Sequence, residues 1–254
     1  MLLAIDIGNT NVVLGLYDGK TLKDSWRAAT DPRRTADEYA VMIYDFLARR
    51  GYRIEQLNDC VISSVVPALT PVFRELAHRY WEIDPLIAGI QVELGLKVLT
   101  DSPGEVGADR IVNSVAAKAI YGVPAIVIDF GTATTWDVIS RDGDYVGGAI
   151  APGVGISAEA LASRAARLHR IELTFPPTAI GRSTDVAMRA GILFGYVGMV
   201  EGLTARIQNE LGGGARVIAT GGLAAIIASQ TKVIEIVDEN LTLEGLRLIW
   251  ERNR

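Results

Sequence analysis

Leu2–Ile7, Asn11–Tyr17 and Leu22–Ala29 are continuously apolar or alternate between apolar and polar positions, and Asp18-Gly19 separates the second from the third. Alternation at period two predicts strands and Asp-Gly predicts a tight turn, so the chain opens as a three-stranded meander. At Thr35-Ala-Asp-Glu38 a capping hydroxyl precedes acids, which marks a helix start. Tyr39, Ile43, Phe46 and Leu47 then recur at helical spacing until Gly51. Asp59–Val65 reads as a buried strand ended by Pro67, Leu69–Trp81 as a helix and Pro85–Ala88 as a short strand. This β-β-β-α-β-α-β order describes a mixed sheet with helices packed on it.

A polar loop, Thr100–Val106, precedes a helix predicted from Asp109 to Tyr121, with Ile111, Val112, Val115, Ala119 and Ile120 on its inner side. The opening pattern then returns. Ala125–Asp129, Thr134–Ser140 and Asp144–Ile150 predict three strands, the second hairpin turning at Arg141-Asp-Gly143. Leu161–Leu168, Thr184–Leu211 and Leu243–Arg252 predict helices, and Val217–Ala219 and Lys232–Val237 predict strands. An internal repeat of about 120 residues results. The expected fold class is α/β, with two similar domains, 1–115 and 116–254, facing a central cleft, and the closing helix 243–252 able to pack back on the first.

Composition narrows the function classes. With 254 residues, 49% of them hydrophobic, the chain can bury a large core. A net charge of -5 and short basic clusters (Arg33-Arg34, Arg49-Arg50, Arg164 to Arg170) leave no electrostatic footprint for nucleic acid. Cys60 is the only cysteine and stands in an apolar run, which excludes an internal disulfide and predicts an inert core thiol. Met1-Leu-Leu-Ala-Ile-Asp6 lacks a basic segment and meets an acid at once, unlike a signal peptide. The apolar run Ile192–Val200 is short of the roughly 20 residues of a spanning helix. A cytoplasmic protein without membrane contact is expected.

The chemistry concentrates in two strand-to-turn units. Asp6-Ile-Gly-Asn-Thr-Asn11 follows the first predicted strand, and Asp129-Phe-Gly-Thr-Ala-Thr-Thr135 follows the first strand of the second half. Each has Asp, then Gly two residues on, then amide or hydroxyl side chains. Glycine allows positive φ and close approach of the backbone to a ligand, and the N–H and O–H donors suit phosphate oxygens. One copy is as well read as an ordinary hairpin turn; two in equivalent places point to a nucleotide polyphosphate. Asp6 and Asp129 would then lie near Mg²⁺ or another cation. Neither a P-loop nor a dinucleotide fingerprint is present. Gly107-Ala-Asp-Arg110 places a carboxylate beside a guanidinium at a loop-to-helix junction. Asp109 could accept a hydroxyl proton and Arg110 offset phosphoryl charge, or the pair could be a helix cap with a surface arginine. The helix N-terminus would favour ionised Asp109 and make it a weak base.

These three motifs, with Gly147-Gly-Ala-Ile-Ala-Pro-Gly153, Ala219-Thr-Gly-Gly222 and the ending Leu241 to Asn253, resemble the motif set of the type III pantothenate kinases, in order and over essentially the whole chain. The resemblance implies two ribonuclease H-like domains of the actin-like ATPase superfamily, a homodimer, and ATP-dependent phosphorylation of pantothenate, the first step towards coenzyme A. It implies that Asp6, Ile7, Gly8, Asn9, Thr10, Asn11, Val12 and Val13 form the first phosphate loop, that Thr132 also contacts ATP, and that Gly221 and Gly222 lie near the adenosine. Mg²⁺ would accompany ATP. Asp129 matches a ligand of a monovalent cation, K⁺ or NH₄⁺, rather than Mg²⁺. Gly107, Ala108, Asp109 and Arg110 would hold pantothenate with Asp109 as proton acceptor, and Thr184 matches a pantothenate contact credited to the partner subunit.

Two positions depart from the family pattern. Thr100 stands where a tyrosine often lines the pantothenate pocket, which bears on affinity, and Trp136 replaces a more usual phenylalanine. A regulatory paralogue without turnover, or a kinase of the same fold for another small alcohol, are the alternatives. His78 and His169 are expected at the surface, too far apart in sequence to suggest a dyad. Gly191, Gly195, Gly198 and Gly202 line one stretch of a helix, either as a contact between domains or subunits or as tight packing within one chain. Trp26, Trp81 and Trp250 are read as packing residues.

Overall fold

The computed structural model describes residues 1–164, 168 and 171–254. They form two compact units, Met1–Ala116 with Asn240–Arg254, and Ala117–Glu239. The closing helix therefore belongs to the first unit.

In the first unit the strands are β1 (Leu2–Ile7), β2 (Asn11–Asp18), β3 (Thr21–Ala29), β4 (Asp59–Ser64) and β5 (Leu86–Ile87), in sheet order β3-β2-β1-β4-β5. β1, β2 and β3 are antiparallel; β4 runs parallel to β1, and β5 parallel to β4. The period of two sends alternate residues of β1 to opposite faces. Leu3, Ile5 and Ile7 enter one core with α1 (Ala36–Arg49) and α2 (Thr70–Trp81). Leu2 and Ala4 enter another with α3 (Ala108–Tyr121) and a terminal helix, Leu241–Arg252. Covered on both faces, β1 is apolar almost throughout. The first helix starts where its capping signal stands: the Glu38 N–H donates to Thr35 Oγ1 (3.3 Å) and the Thr35 N–H to Glu38 Oε2 (2.8 Å). A Cβ on Gly245 of the terminal helix would lie 2.2 Å from the Val112 carbonyl oxygen, so the closing helix can approach α3 this closely only with glycine there.

The second unit repeats the plan. β6 (Ala125–Phe130), β7 (Ala133–Ile139), β8 (Tyr145–Pro152), β9 (Arg216–Thr220) and β10 (Ile236–Val237) lie in order β10-β9-β6-β7-β8, the arrangement of β1 to β5 strand for strand. Ile126, Ile128 and Phe130 pack with α4 (Val154–Arg164), α5 (Thr184–Glu210) and α6 (Ala224–Ala228). The terminal helix is α7. These two mixed sheets with helices bear out the α/β class and the internal repeat.

Several predicted elements change. The strand expected at Lys232–Val237 shrinks to β10, because the Val217 N–H donates to the Glu235 side chain (3.2 Å) and the ladder begins only at Ile236. The helix expected at Leu161–Leu168 is α4, which starts seven residues earlier, after a Gly153 whose carbonyl accepts from the Ser157 N–H (3.0 Å). Residues 165–167 of the predicted helix, His169 and most of the Arg164–Arg170 cluster lie outside the described residues, and Leu168, its predicted end, is not helical. On α3, Ala119 and Ile120 are exposed, whereas polar Asn113 and Ser114 are buried. Ser114 donates to the Arg110 carbonyl (2.8 Å) and Asn113 accepts from Thr242 (2.7 Å), which satisfies both.

α5 is long and apolar enough, by length and composition, to pass for a membrane span, with a mean hydropathy of 1.3. Leu193, Tyr196, Val197 and Val200 on its buried side pack into the second core. Its glycines face the other way: Gly191, Gly195, Gly198 and Gly202 are exposed, and a Cβ on any of them would meet nothing within 4 Å. Tight packing within the chain does not account for them.

Candidate active site

The first turn of interest joins β1 to β2. Asp6, at the carboxyl end of β1, pairs across the sheet with Val13 and Ser63. The Gly8 N–H donates to the Asn11 carbonyl (3.0 Å), and the Gly8 carbonyl accepts from the Thr30 hydroxyl (2.6 Å). Asn9 and Thr10 stand exposed at the tip, while Ile7 and Val12 at its base are fully buried. The side chains of Ile7 and Val12 are core, so a ligand at this turn can meet those two residues only through their backbone. Gly8 does not take positive φ. Its glycine is a matter of room, since a Cβ would come within 3.1 Å of the Asn11 carbonyl.

Gly107-Ala-Asp-Arg110 joins the loop, here containing a 3₁₀ turn at Pro103–Glu105, to α3. Gly107 precedes the helix and its carbonyl accepts from the Ile111 N–H (3.3 Å). The Asp109 carboxylate folds back to accept from the Arg110 N–H (2.8 Å). A Cβ on Gly107 would lie 2.6 Å from Asp109 Oδ1 and 3.7 Å from Val65, whose N–H donates to the Ile7 carbonyl (3.0 Å). The Asp109 motif and the first turn thus meet at the carboxyl ends of β1 and β4, where open α/β sheets bind ligands. Burial raises the Asp109 pKa, against the Arg110 N–H and the Arg110 charge, which lower it. This corrects the expectation of a weak base: removal from water outweighs the helix terminus. Thr100, in the preceding loop, keeps a buried hydroxyl without a hydrogen-bond partner among the described residues.

The second turn joins β6 to β7. Asp129 occupies the place of Asp6, pairing with Thr135 and Thr220. The Gly131 N–H donates to the Ala133 carbonyl (3.1 Å), and Thr132 is exposed at the tip. Gly131, like Gly8, lacks positive φ, so the expected conformational reason for both glycines fails. Positive φ appears instead at Gly221 (φ 90°), where a Cβ would lie 2.5 Å from Asp129 Oδ1. Gly222 follows it after β9. Gly153 presses on the same turn from another side: its N–H donates to the Thr132 carbonyl (3.1 Å), and a Cβ there would be 2.3 Å from that oxygen. The second unit therefore gathers Asp129, Thr132, Gly153 and Gly221. Thr184 is exposed at the first turn of α5, after the Ser183 cap. Trp136 is fully buried with its indole N–H donating to Thr204 (3.3 Å), so the larger ring has its polar atom satisfied.

A family model described as type III pantothenate kinase matches residues 2–206. Full-length relatives agree with it: the type III pantothenate kinase of Moorella thermoacetica is 51% identical over 253 residues, covering 100% of both chains. That of Myxococcus xanthus is 50% identical, covering 100% of this chain and 99% of the other. The chain belongs to the type III pantothenate kinase family. Among solved structures, the inorganic polyphosphate/ATP-glucomannokinase of an Arthrobacter strain is similar with a TM-score of 0.52 at 16% identity, covering 97% and 96% of the two chains. A Baf family transcriptional activator from Campylobacter jejuni is similar with a TM-score of 0.61 at 20% identity, covering 99% and 98%. At these identities the likeness is one of fold, consistent with two ribonuclease H-like units.

Proposed function

We propose that the chain catalyses transfer of the γ-phosphoryl group of ATP to the primary hydroxyl of pantothenate, the first step towards coenzyme A. Half-and-half identity over the full length with type III pantothenate kinases carries this reading. As the hydroxyl oxygen bonds to the γ-phosphorus, the bond from phosphorus to ADP breaks and the hydroxyl proton passes to the Asp109 carboxylate. A carboxyl group held above its usual range by burial is better matched to proton acceptance near neutral pH. Arg110 offsets charge on the transferring group. Gly107, Ala108 and Thr100 bind pantothenate, the last offering its unpartnered hydroxyl. Asp6 to Val13 and Thr132 bind the ATP phosphates, with Gly221 and Gly222 near the adenosine.

Among the described residues no group of three or more His, Cys, Asp or Glu side chains is placed to hold a metal. Mg²⁺ would be carried mainly by the nucleotide phosphates, where it would neutralise developing charge. Asp129, with Thr135 and Thr220 beside it in the sheet, offers one carboxylate among oxygen-bearing neighbours, a donor set suited to a singly charged cation such as K⁺ or NH₄⁺. The exposed glycine stripe of α5 supports self-association, with Thr184 reaching the partner's pantothenate. Gly195→Leu should then shift the sedimentation of the protein to that of a monomer.

The central test incubates the protein with ATP, Mg²⁺, K⁺ and pantothenate beside a panel of other alcohols. ADP release that depends on pantothenate is expected; release only with another alcohol would overturn the substrate assignment.

A further inference from the structure

The Pro152–Gly153 peptide carries hydrogen bonds at both of its ends. Its carbonyl accepts from the Tyr196 hydroxyl of α5, and its N–H donates to the Thr132 carbonyl (3.1 Å). A second hydroxyl, Ser157 Oγ, lies 2.9 Å from the Tyr196 oxygen. Because the tyrosine proton is committed to Pro152, Ser157 is the donor of that pair. The relay runs Ser157, Tyr196, Pro152–Gly153, Thr132, across α4, α5, the end of β8 and the tip of the β6–β7 turn.

A peptide group is planar, so fixing the direction of its carbonyl fixes the direction of its N–H. Glycine on one side of this peptide would otherwise let it rotate at little cost. Gly153 is also the residue pressed against the Gly131–Thr132 backbone, where a side chain would not fit. Tyr196 is 8% exposed, and its ring is held within the second core, which makes the hydroxyl a fixed point. Hydrogen bonds in series polarise one another, adding to the hold on the terminal member.

We propose that Tyr196 is a positioning residue for the nucleotide: through the Pro152–Gly153 peptide it sets the orientation of the Thr132 turn, and so the affinity for ATP phosphates. The inference rests on the reading of Thr132 as an ATP contact. It also gives the Gly147–Gly153 motif a task, since only a glycine at its end can both donate to Thr132 and lie flush on that turn.

Tyr196→Phe keeps the ring and removes only the hydroxyl. Loss of one hydrogen bond of this kind should raise KM for ATP about tenfold, with KM for pantothenate unchanged, and the Gly153 amide should exchange with deuterium faster than in the parent. A purely structural role would move both KM values together or neither. Parental exchange at Gly153 would overturn the positioning, and so would equal changes in the two KM values. Thr132→Ala separates the two layers. If Gly153 exchanges faster in Tyr196→Phe while neither variant changes KM for ATP, the link from Tyr196 to the turn stands and the ATP role of Thr132 falls.

Discussion

The Asp109 carboxylate lies where a Gly107 side chain would be: a Cβ there would sit 2.6 Å from Oδ1. Glycine at 107 therefore sets the rotamer of the proposed proton acceptor. Gly107→Ala should displace the carboxylate by about an ångström and lower kcat on the order of a hundredfold. Pantothenate phosphorylation and thermal unfolding, measured together, check this; an equal loss of activity and fold would count against it.

Asp109→Asn keeps the acceptor for the Arg110 N–H and removes the proposed base. Its kcat should fall by roughly 10²–10⁴. In the parent, activity should decline as pH falls through a pKa above the usual carboxylate range, and the residual activity of the variant should lack that limb. Stability moves the opposite way. The folded pKa is raised, so as pH rises from strongly acidic values the unfolded chain loses its proton first and stability falls until the folded carboxyl ionises too. Asparagine has no such penalty. Denaturant unfolding should find the variant at least as stable as the parent at neutral pH and no more stable in strong acid.

Gly221 combines positive φ with close approach to Asp129. Gly221→Ala should destabilise the second unit by about 1–2 kcal/mol for the backbone alone and push the Asp129 carboxylate aside. With Asp129 as the proposed K⁺ ligand, the K⁺ concentration needed for half-maximal activity should rise, which a potassium titration of the variant would read.

Arg247, 6% exposed, donates to Glu244 through Nε (3.0 Å) and Nη2 (2.9 Å), and Glu244 accepts from the Tyr17 hydroxyl (3.1 Å). Arg247→Ala leaves a partly buried carboxylate without its cation and should cost about 3 kcal/mol. Urea unfolding of the variant tests this, with KM values expected to stay at parental levels.

Thr35→Ala removes one half of the capping box of α1 and should cost about 1 kcal/mol with no effect on catalysis. A fall in melting temperature with unchanged kcat is the expected pair of results.

The regular parts of the fold were legible because their causes are local. The doubly buried β1 is an apolar run, the α1 start is a capping box, and Asp6 and Asp129 recur at the ends of equivalent strands. What failed to show depends on neighbours distant in sequence. The start of α4 was missed because Gly153 and Gly155, poor helix formers, flank it, although Gly153 is needed against Thr132. Asp109 looked like a weak base because a helix terminus is visible in sequence and desolvation is not. The glycines of both turns suggested positive φ, whereas Gly8 is required for space beside Asn11 and a Cβ on Gly131 would make only ordinary contact; the left-handed glycine beside Asp129 is Gly221, where sequence offered only a Gly-Gly pair. Tyr196 carried no signal at all, being one apolar-face residue of a long helix.

α7 supplies Leu243, Leu246 and Ile249 to the core that also holds Leu2 and Ala4. Those partners stand on opposite sides of the whole second unit in sequence. The first unit cannot seal that side of its sheet until α7 has been made, although the second unit, contiguous in sequence, can fold earlier. The usual order, in which the amino-terminal part of a chain folds first, is reversed for this core. A nascent chain stalled before Leu241 should expose an apolar sheet face, a substrate for chaperones that the finished enzyme no longer offers.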